Sequence, residues 1–496
     1  MSRTLPLAAV TLAVALAAPG LLACGGPGSP ESAHSPEQHP AGVKDEPGVH
    51  TELDDELDDE LELGMGATAD PRPPYTPISK LGPALETRRA NRTRLVFARP
   101  DPDSDARGRI PAKQRFFVYA TEAGPGCRRE WAQVADAAWV CLDRCEIDTE
   151  TPLALPLLRD GDPLPFVYAR HRRHRREDTP DLPVYRSTRA MNAGEAPLSS
   201  LPAYGSYAFT RYRHNHGAPV MVTPRGRVVP AAELRRFQPS ALQGRDLLAA
   251  PVPSGRTLAW AVHRDTRVYA RPDASDSPVL ELERHTSVEL RTAEPGVGDD
   301  GRLWFELADR GPGGADGASG RWISAEDLRR WLPLPPEPGE FAEQVVIDVD
   351  LDEQVLSVWR GEQPVFATLV SSGKAGDRTP LGVYRMRSKW AYGKMASLPD
   401  AEVPYFVDAV PWAMYFSGRY ALHAAYWHDQ FGQRKSHGCI NLSPRDAKRV
   451  FELSTPTLPD GWLVVHEHSV DPGTLVRVRR GARELPDRRR PLDPID

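Results

Sequence analysis

The feature that most restricts the fold is a run of alternating apolar and polar residues, EQVVIDVDLDEQVLSVWRGEQPVFATLVSSG, at 343–373. A period of two is typical of β-strands with one buried face. Turn residues at 350–353 and 361–363 divide the run into three parts, which predicts a β-meander of hairpins. The 496 residues include 50 prolines, about twice the ordinary usage, and this disfavours long helices. We therefore expect a mainly β fold.

One short helix is expected in the same part of the chain, at SPRDAKRVFEL (443–453). Ser443 is a good N-cap, Pro444 suits the first turn, and Asp446 lies where the acid of a capping box belongs. The pattern therefore predicts a β-rich domain with one short helix over residues 340–470.

Upstream of this domain the sequence contains an internal repeat. GRVVPAAELRRF at 226–237 matches GRWISAEDLRRW at 320–331, and a Pro-rich linker follows at 332–340. Alternating apolar residues separated by Gly and Pro turns predict three small β modules. Their closing strands resemble those of bacterial SH3-like domains, small barrels that often bind cell-wall peptide or glycan; the alternative is that they only position the last domain. The expected boundaries are an SH3-like module at 106–150, a divergent second module at 151–255, an SH3-like module at 256–331, and a terminal strand with a flexible tail at 471–496.

The first residues indicate an export signal, because Arg3 precedes the apolar stretch LPLAAVTLAVALAAPGLLAC, which is short for a spanning helix. LLAC resembles the lipobox of bacterial lipoproteins, which implies a signal peptide at 1–23 and acylation of Cys24; an uncleaved anchor is the alternative. Residues 24–105 are predicted to form a flexible, acidic and Pro-rich tether. We expect an exported, membrane-anchored lipoprotein that faces the cell wall from the periplasm. In a two-membrane bacterium the outer membrane is expected, because Gly25 rather than an aspartate follows the cysteine.

The net charge and the cysteines indicate which classes of partner and which reactive groups to expect. The formal net charge of −6 gives no overall basic surface, so nucleic acid is not expected as a partner. Disulfides are favoured in an exported protein. Cys127, Cys141 and Cys145 lie close together in the sequence, and we expect a Cys127–Cys141 bridge because it would staple neighbouring strands. Cys439 is far from the other cysteines, and its histidine neighbours indicate a reactive thiol.

Residues with catalytic chemistry concentrate in YALHAAYWHDQFGQRKSHGCIN at 420–441. If SHGCINLS is a strand, His437 and Cys439 share one face and point in parallel, which is a poor geometry for direct proton transfer. His423 on a neighbouring strand could instead approach the sulfur and take its proton. Gly438 would let a substrate come close, and the amides of Gly438 and Cys439 could stabilise an oxyanion.

Three ordered motifs resemble the catalytic domain of the L,D-transpeptidases, the YkuD family of bacterial cell-wall enzymes. They are SSGK…TPLGVY at 371–384, VPYF…YW at 403–427, and His423 followed after a spacer by Ser436-His437-Gly438-Cys439-Ile440-Asn441. The resemblance implies that Cys439 is the nucleophile and that His423 accepts and returns its proton.

The resemblance also implies the supporting roles. The backbone carbonyl of Ala424 would orient His423, His437 would support Cys439, and Gly438 would contribute to the oxyanion hole. Ser436 and Asn441 match signature positions at which substrate binding is expected.

The resemblance implies a peptidoglycan L,D-transpeptidase. A stem peptide would acylate the thiol and release D-alanine, and an amine would then take the acyl group, giving a 3→3 cross-link or a wall-anchored protein. No metal or organic cofactor is implied, and a monomer is expected. Three alternatives stay open: a catalytically inactive cell-wall-binding scaffold lipoprotein, a cysteine peptidase, and a zinc site. The zinc ligands would be His423, His428, His437 and Cys439.

Overall fold

The computed structural model describes residues 81–159, 161–173, 179–214, 218–308, 320–336, 344–397 and 404–481. This part of the chain is mostly β-strand, as predicted, and contains the short helix α1 (Thr188–Asn192) and the longer helix α2 (Pro444–Leu453). No helix within these ranges is long and apolar enough to span a membrane. The predicted signal peptide, Cys24 and the first part of the predicted tether lie outside the described residues.

The first module begins earlier than predicted. Its strands are β1 (Glu86–Ala90), β2 (Arg94–Phe97), β3 (Ala106–Ile110), β4 (Arg115–Val118), β5 (Ala120–Glu122), β6 (Trp131–Ala135), β7 (Ala138–Cys141) and β8 (Cys145–Asp148). Because β1 pairs with β4 and β8, and β2 pairs with β3 and β7, the placement of 86–105 in a tether is wrong. The sequence of β1, ETRRA, is charged and lacks the apolar alternation that predicts a strand. Its Arg89 forms an ion pair with Glu146. Cys127 and Cys141 form a disulfide with a Cα–Cα distance of 5.6 Å, and Cys145 is a buried free thiol.

The second module contains α1 and a set of short strands. They are β9 (Val167–His171), β10 (Leu182–Val184), β11 (Ser199–Leu201), β12 (Gly205–Phe209), β13 (Arg211–Arg213), β14 (Val220–Val222), β15 (Val228–Pro230), β16 (Leu234–Arg236) and β17 (Arg245–Asp246). The second module was predicted to extend to residue 255, but β17 already belongs to a sheet of the C-terminal domain. It pairs there with a strand that places Arg245 opposite Ala367.

The third module repeats a local structure of the second. Its strands are β18 (Thr257–Ala261), β19 (Thr266–Val268), β20 (Leu280–Leu282), β21 (Ser287–Leu290), β22 (Gly296–Val297), β23 (Leu303–Glu306), β24 (Trp322–Ser324) and β25 (Leu328–Arg330). Each copy of the sequence repeat forms a strand, a 3₁₀ turn and a second strand, with the turns at Ala231–Glu233 and Ala325–Asp327. The SH3-like assignment of the modules stays a prediction.

The C-terminal domain contains the predicted meander. Its elements are β26 (Val345–Asp350), β27 (Val355–Arg360), β28 (Gln363–Leu369), β29 (Gly382–Arg385), β30 (Ser388–Ala396), β31 (Phe406–Ser417), β32 (Tyr420–Ala424), β33 (Ile440–Leu442), α2, β34 (Val464–His466) and β35 (Leu475–Arg479). Strands β26, β27 and β28 pair antiparallel, and β35 runs parallel to β26 inside the same sheet. The domain therefore extends past the predicted end at 470.

The first two modules share one sheet with the C-terminal domain. Strand β31 pairs with β12 through Phe406 and Val407, and β34 pairs with β3 through Val464 and Val465. Trp462, in the C-terminal domain, lies in the hydrophobic core of the first module. These contacts position the two modules by backbone hydrogen bonds and shared apolar burial rather than by linkers.

Helix α2 closes one side of the C-terminal core. Ser443 caps it by accepting from the Asp446 amide, and Pro444 occupies the first turn, as predicted. Val450 and Phe451 pack with the buried residues of the two sheets. Asp446 is fully buried, and its carboxylate accepts hydrogen bonds from the Gly244 amide and the Thr368 hydroxyl.

Candidate active site

The predicted catalytic residues lie on or next to two paired parallel strands. Strand β32 pairs with β33 so that His423 lies opposite Asn441 and Leu422 lies opposite Ile440. Cys439 immediately precedes β33, so it is two residues from the partner of His423. The fold therefore places His423 and Cys439 on adjacent segments of a parallel strand pair, with Cys439 just before the paired residues.

The predicted strand over Ser436–Asn441 begins only at Ile440. His437, Gly438 and Cys439 form a bend, and Gly438 has a φ of +114°, a conformation that residues with side chains rarely adopt. A Cβ at this position would lie 2.5 Å from Cε1 of Tyr420. The expectation that His437 and Cys439 share one face of a strand is therefore wrong, because a glycine-dependent turn sets their directions.

His423 is buried in the state that a general base requires. Its Nδ1 lies 3.1 Å from the carbonyl oxygen of Ala424, so Nδ1 carries the proton and Nε2 is left as the acceptor. Burial lowers the pKa of His423 to about 4, and the hydrogen bond to Ala424 offsets only part of this effect. The imidazole is therefore neutral at physiological pH.

Cys439 is a partly exposed free thiol. Its Sγ lies 3.7 Å from the backbone oxygen of Arg419, to which the thiol donates. Burial of the sulfur raises the pKa of Cys439, whereas a hydrogen bond from the Ala421 backbone and the charge of Arg419 lower it. The resting group is a protonated thiol that needs a base.

The turn that carries Cys439 is fixed by hydrogen bonds. The Gly438 amide donates to the Ser436 hydroxyl at 3.1 Å, and that hydroxyl donates to the Cys439 carbonyl. The hydroxyl of Thr379 donates to the Gly438 carbonyl at 2.7 Å. Because the Gly438 amide already has an acceptor, the predicted role of this amide in an oxyanion hole is wrong for this conformation. The Cys439 amide is the remaining donor of the predicted pair.

The side chain of His437, two residues before Cys439, contacts Tyr405 and Lys374. Its ring stacks on Tyr405, with ring centroids 5.1 Å apart, and its Nε2 lies 3.1 Å from the Lys374 ammonium. An ammonium only donates, so Nε2 of His437 accepts and is unavailable as a base. Sequence reasoning missed Lys374, Thr379 and Tyr405 as site residues, although the first two belong to SSGK…TPLGVY and Tyr405 belongs to VPYF.

Asn441 and His428 form a buried pair behind the strands. The Asn441 side-chain nitrogen lies 2.9 Å from Nε2 of His428, whose Nδ1 accepts from the Gln430 amide. Burial lowers the pKa of His428 to about 4. Asn441 therefore contacts a histidine of the loop that joins β32 to β33, and its side chain is buried.

The four residues considered for zinc do not converge on one point. Within the described ranges, the potential metal ligands that come together are Cys127, Cys141 and Asp143, and the two cysteines are already joined in the disulfide. His423, His428, His437 and Cys439 do not form such a group. The geometry therefore favours a thiol and a base over a metal centre.

Aromatic residues connect the site to the second module. The Trp427 ring lies 5.7 Å from the His423 ring, and Tyr426 meets Trp427 edge-on at 4.9 Å. Tyr426 in turn stacks on Tyr168 of the second module at 3.8 Å. The loop after His423 is thus packed between its own domain and a neighbouring module.

A comparison with protein families finds one match, in the C-terminal domain. Residues 344–478 match the family model of the YkuD L,D-transpeptidase catalytic domain. The match contains every residue of the thiol and base arrangement, and the three modules lie outside it. A comparison with curated proteins finds no match.

Several solved L,D-transpeptidases are similar to the chain. The crystal structure of a mutant Enterococcus faecium L,D-transpeptidase is 24% identical with a TM-score of 0.22, and the similarity covers 28% of this chain and 50% of that one. The catalytic domain of the E. faecium enzyme, solved by NMR, is 26% identical with a TM-score of 0.23 over 28% of this chain and 98% of that one. An L,D-transpeptidase from Mycobacterium smegmatis is 20% identical with a TM-score of 0.23 over 38% and 94%. The chain thus spans about half the length of the first of these proteins.

Proposed function

We propose that this protein is a cysteine-dependent L,D-transpeptidase that acts on peptidoglycan stem peptides. The observation that carries the proposal is the pairing of β32 with β33 inside the YkuD-matched segment. It places a buried imidazole, whose Nδ1 donates to a carbonyl, on the strand next to the segment that carries a thiol free of any disulfide.

In the first half-reaction Nε2 of His423 takes the thiol proton while Sγ of Cys439 attacks the acyl carbon of the donor stem. The carbonyl electron pair moves to oxygen, and the Cys439 amide stabilises the resulting oxyanion. When the intermediate collapses, the C–N bond breaks and the proton on Nε2 passes to the leaving D-alanine nitrogen. A thioester on Cys439 remains.

In the second half-reaction an amine attacks the thioester. Its proton passes to Nε2 of His423 and then returns to the sulfur as the C–S bond breaks, so the enzyme is regenerated. The acceptor amine decides whether the product is a 3→3 cross-link or a wall-anchored protein, and water as acceptor would give a trimmed stem.

The resting site favours the neutral pair over a thiolate–imidazolium pair. Burial lowers the pKa of His423 to about 4 and raises the pKa of Cys439, so charge separation before substrate arrives is disfavoured. Proton transfer is therefore expected to accompany the attack, when negative charge moves from sulfur to the carbonyl oxygen. The charge of Arg419 and the Ala421 amide, which lower the pKa of Cys439, assist this step.

We propose that this enzyme is exported and anchored in the membrane through an acylated Cys24, so that it faces its polymer substrate. The LLAC sequence that precedes the predicted tether supports this placement. Labelling of the expressed protein with an alkyne fatty acid should succeed for the wild type and fail for Cys24→Ala.

The test of function uses the full chain and a stem tetrapeptide. Mass spectrometry should show a thioester on Cys439, with release of D-alanine and formation of cross-linked dimer. Cys439→Ala should lose all three signals. Cys145→Ala is the matched control, since Cys145 is the other free cysteine among the described residues and lies in the first module. If the folded wild type forms no adduct but still binds insoluble peptidoglycan, the scaffold alternative replaces the enzyme.

A further inference from the structure

A cavity of about 220 Å³ lies beside the turn that carries the nucleophile. It is strongly basic, because four cationic side chains line it together with backbone that includes Gly373. The cationic residues are Lys374, Arg378, Arg434 and Arg480. The thiol and base do not line this space, so it is separate from the chemistry described above.

The cavity shares a wall with the catalytic turn. The Lys374 amide donates to the Ser436 carbonyl at 3.1 Å, and the Ser436 amide donates to the Ser372 carbonyl at 3.0 Å. Thr379, which lines the cavity, donates to the Gly438 carbonyl. Lys374 also reaches His437, as described above. A group bound in the cavity would therefore lie against the same loop that fixes the position of Cys439.

The charges around the cavity do not balance. Lys374 has an acidic neighbour in Asp377 at 3.3 Å, and Arg434 has one in Asp352 at 3.2 Å. Within the described ranges, Arg378 and Arg480 have neither a hydrogen bond nor an ion pair to an acidic side chain. Among the described residues these two guanidinium groups have no acidic partner, and together they give the cavity a positive potential that favours an anion. A guanidinium also presents a planar fork of donors that matches a carboxylate.

We propose that this cavity binds a free carboxylate of the peptide substrate and so selects acidic stems over amidated ones. The inference rests on the proposed function and extends it, because it assigns specificity-determining roles to Arg378 and Arg480. A bound carboxylate would fix the substrate backbone relative to the catalytic turn without contacting the sulfur.

The experiment measures two substrates with the wild type and with each of several variants, all as the full chain. The substrates are a stem tetrapeptide with free carboxylates and the same peptide with its side-chain carboxylate converted to a carboxamide, and kcat/KM for thioester formation is measured for each. The wild type should prefer the acid roughly tenfold, the value expected for losing one charge-assisted contact. Arg378→Gln and Arg480→Gln should lower kcat/KM for the acid by a similar factor, mainly through KM, and leave the carboxamide almost unchanged.

Controls separate this inference from the proposed function. Arg211→Gln removes an equally cationic, exposed side chain on β13 and should keep the wild-type preference. Arg378→Lys keeps the charge without the fork and should recover part of the preference. The rate of Cys439 alkylation by iodoacetamide should be the same in all variants.

The outcomes are distinct. If the wild type forms the thioester with both peptides equally, or the arginine variants lose both substrates to the same extent, the carboxylate site is refuted and the transpeptidase assignment stands. If no thioester forms with either peptide while Cys439 is alkylated normally, the transpeptidase assignment fails, and the carboxylate site fails with it.

Discussion

Replacement of Gly438 by alanine tests whether the catalytic turn depends on a glycine conformation. The wild-type residue has a φ of +114°, and an added Cβ would lie 2.5 Å from the ring of Tyr420. The backbone conformation costs roughly 1–3 kcal/mol for a residue with a side chain, and moving a packed ring costs a comparable amount. Gly438→Ala should therefore lower the free energy of unfolding by roughly 2–6 kcal/mol, unless the turn rearranges.

A rearranged turn would be visible in the chemistry. A shift of about 1 Å in a reacting atom can cost roughly 100-fold in rate, so a variant that relaxes its backbone should lose acylation of Cys439 to that extent. Gly418→Ala is the control, because Gly418 also has a positive φ, +47°, but an added Cβ there would meet no atom within 4 Å. Its cost should be about 1 kcal/mol.

The measurements are urea denaturation of the full chain and the rate of thioester formation with a stem tetrapeptide. The result that would refute the reasoning is a Gly438→Ala variant that is as stable as Gly418→Ala and acylates at the wild-type rate. The turn would then tolerate a side chain, and its glycine would have no conformational role.

Three other predictions follow from buried charged and polar groups. Because burial holds the pKa of His423 at about 4, the acylation rate should be flat from pH 5 to 7 and fall below pH 4 as the imidazole is protonated, whereas an ordinary histidine would cause loss near pH 6.5. Burial lowers the pKa of Lys389 to about 7, so above that pH the unfolded chain binds more protons than the folded one. The free energy of unfolding of the wild type should therefore rise by about 2 kcal/mol from pH 7 to pH 9. Urea denaturation should show this rise in the wild type and not in Lys389→Met. Asp348 lies buried against Arg477 and Arg479, so Asp348→Asn should cost about 3–5 kcal/mol, and the exposed-pair control Asp276→Asn should cost less than about 1 kcal/mol. Equal losses in the two aspartate variants would contradict the buried-pair reasoning.

Local pattern was sufficient to predict the C-terminal meander and its helix. The alternation at 343–373 forms β26, β27 and β28 as predicted, although these strands are buried on both faces rather than on one. Ser443 and Pro444 begin α2, since capping depends on the few residues around the helix start. Spacing and residue type also identified His423, which lies on β32, and Cys439, which immediately precedes its partner strand β33.

Features that depend on distant contacts were not predictable from local pattern. The turn at Gly438 interrupts an apparently regular strand, because the Ser436 and Thr379 hydroxyls hold it, and Thr379 lies on a separate loop. The commitment of the Gly438 amide to Ser436 follows from the same turn. The early start of the first module was missed because β1 is stabilised by pairing with β4 and β8 rather than by its own apolar residues.

Because they share a sheet, the C-terminal domain and the first two modules form one structural unit. Strands β31 and β34 each pair with a strand of another module through two residues, and such short pairings stabilise an interface only if side chains also contribute. They do, since the Tyr168 hydroxyl of the second module donates to the Ala409 carbonyl at 2.6 Å, and Trp462 fills the core of the first. Removing the modules would expose these sheet edges and apolar surfaces together. The aromatic contacts from Tyr168 through Tyr426 and Trp427 to His423 would then lose their outer member, so the modules contribute to the rigidity of the base as well as to its location.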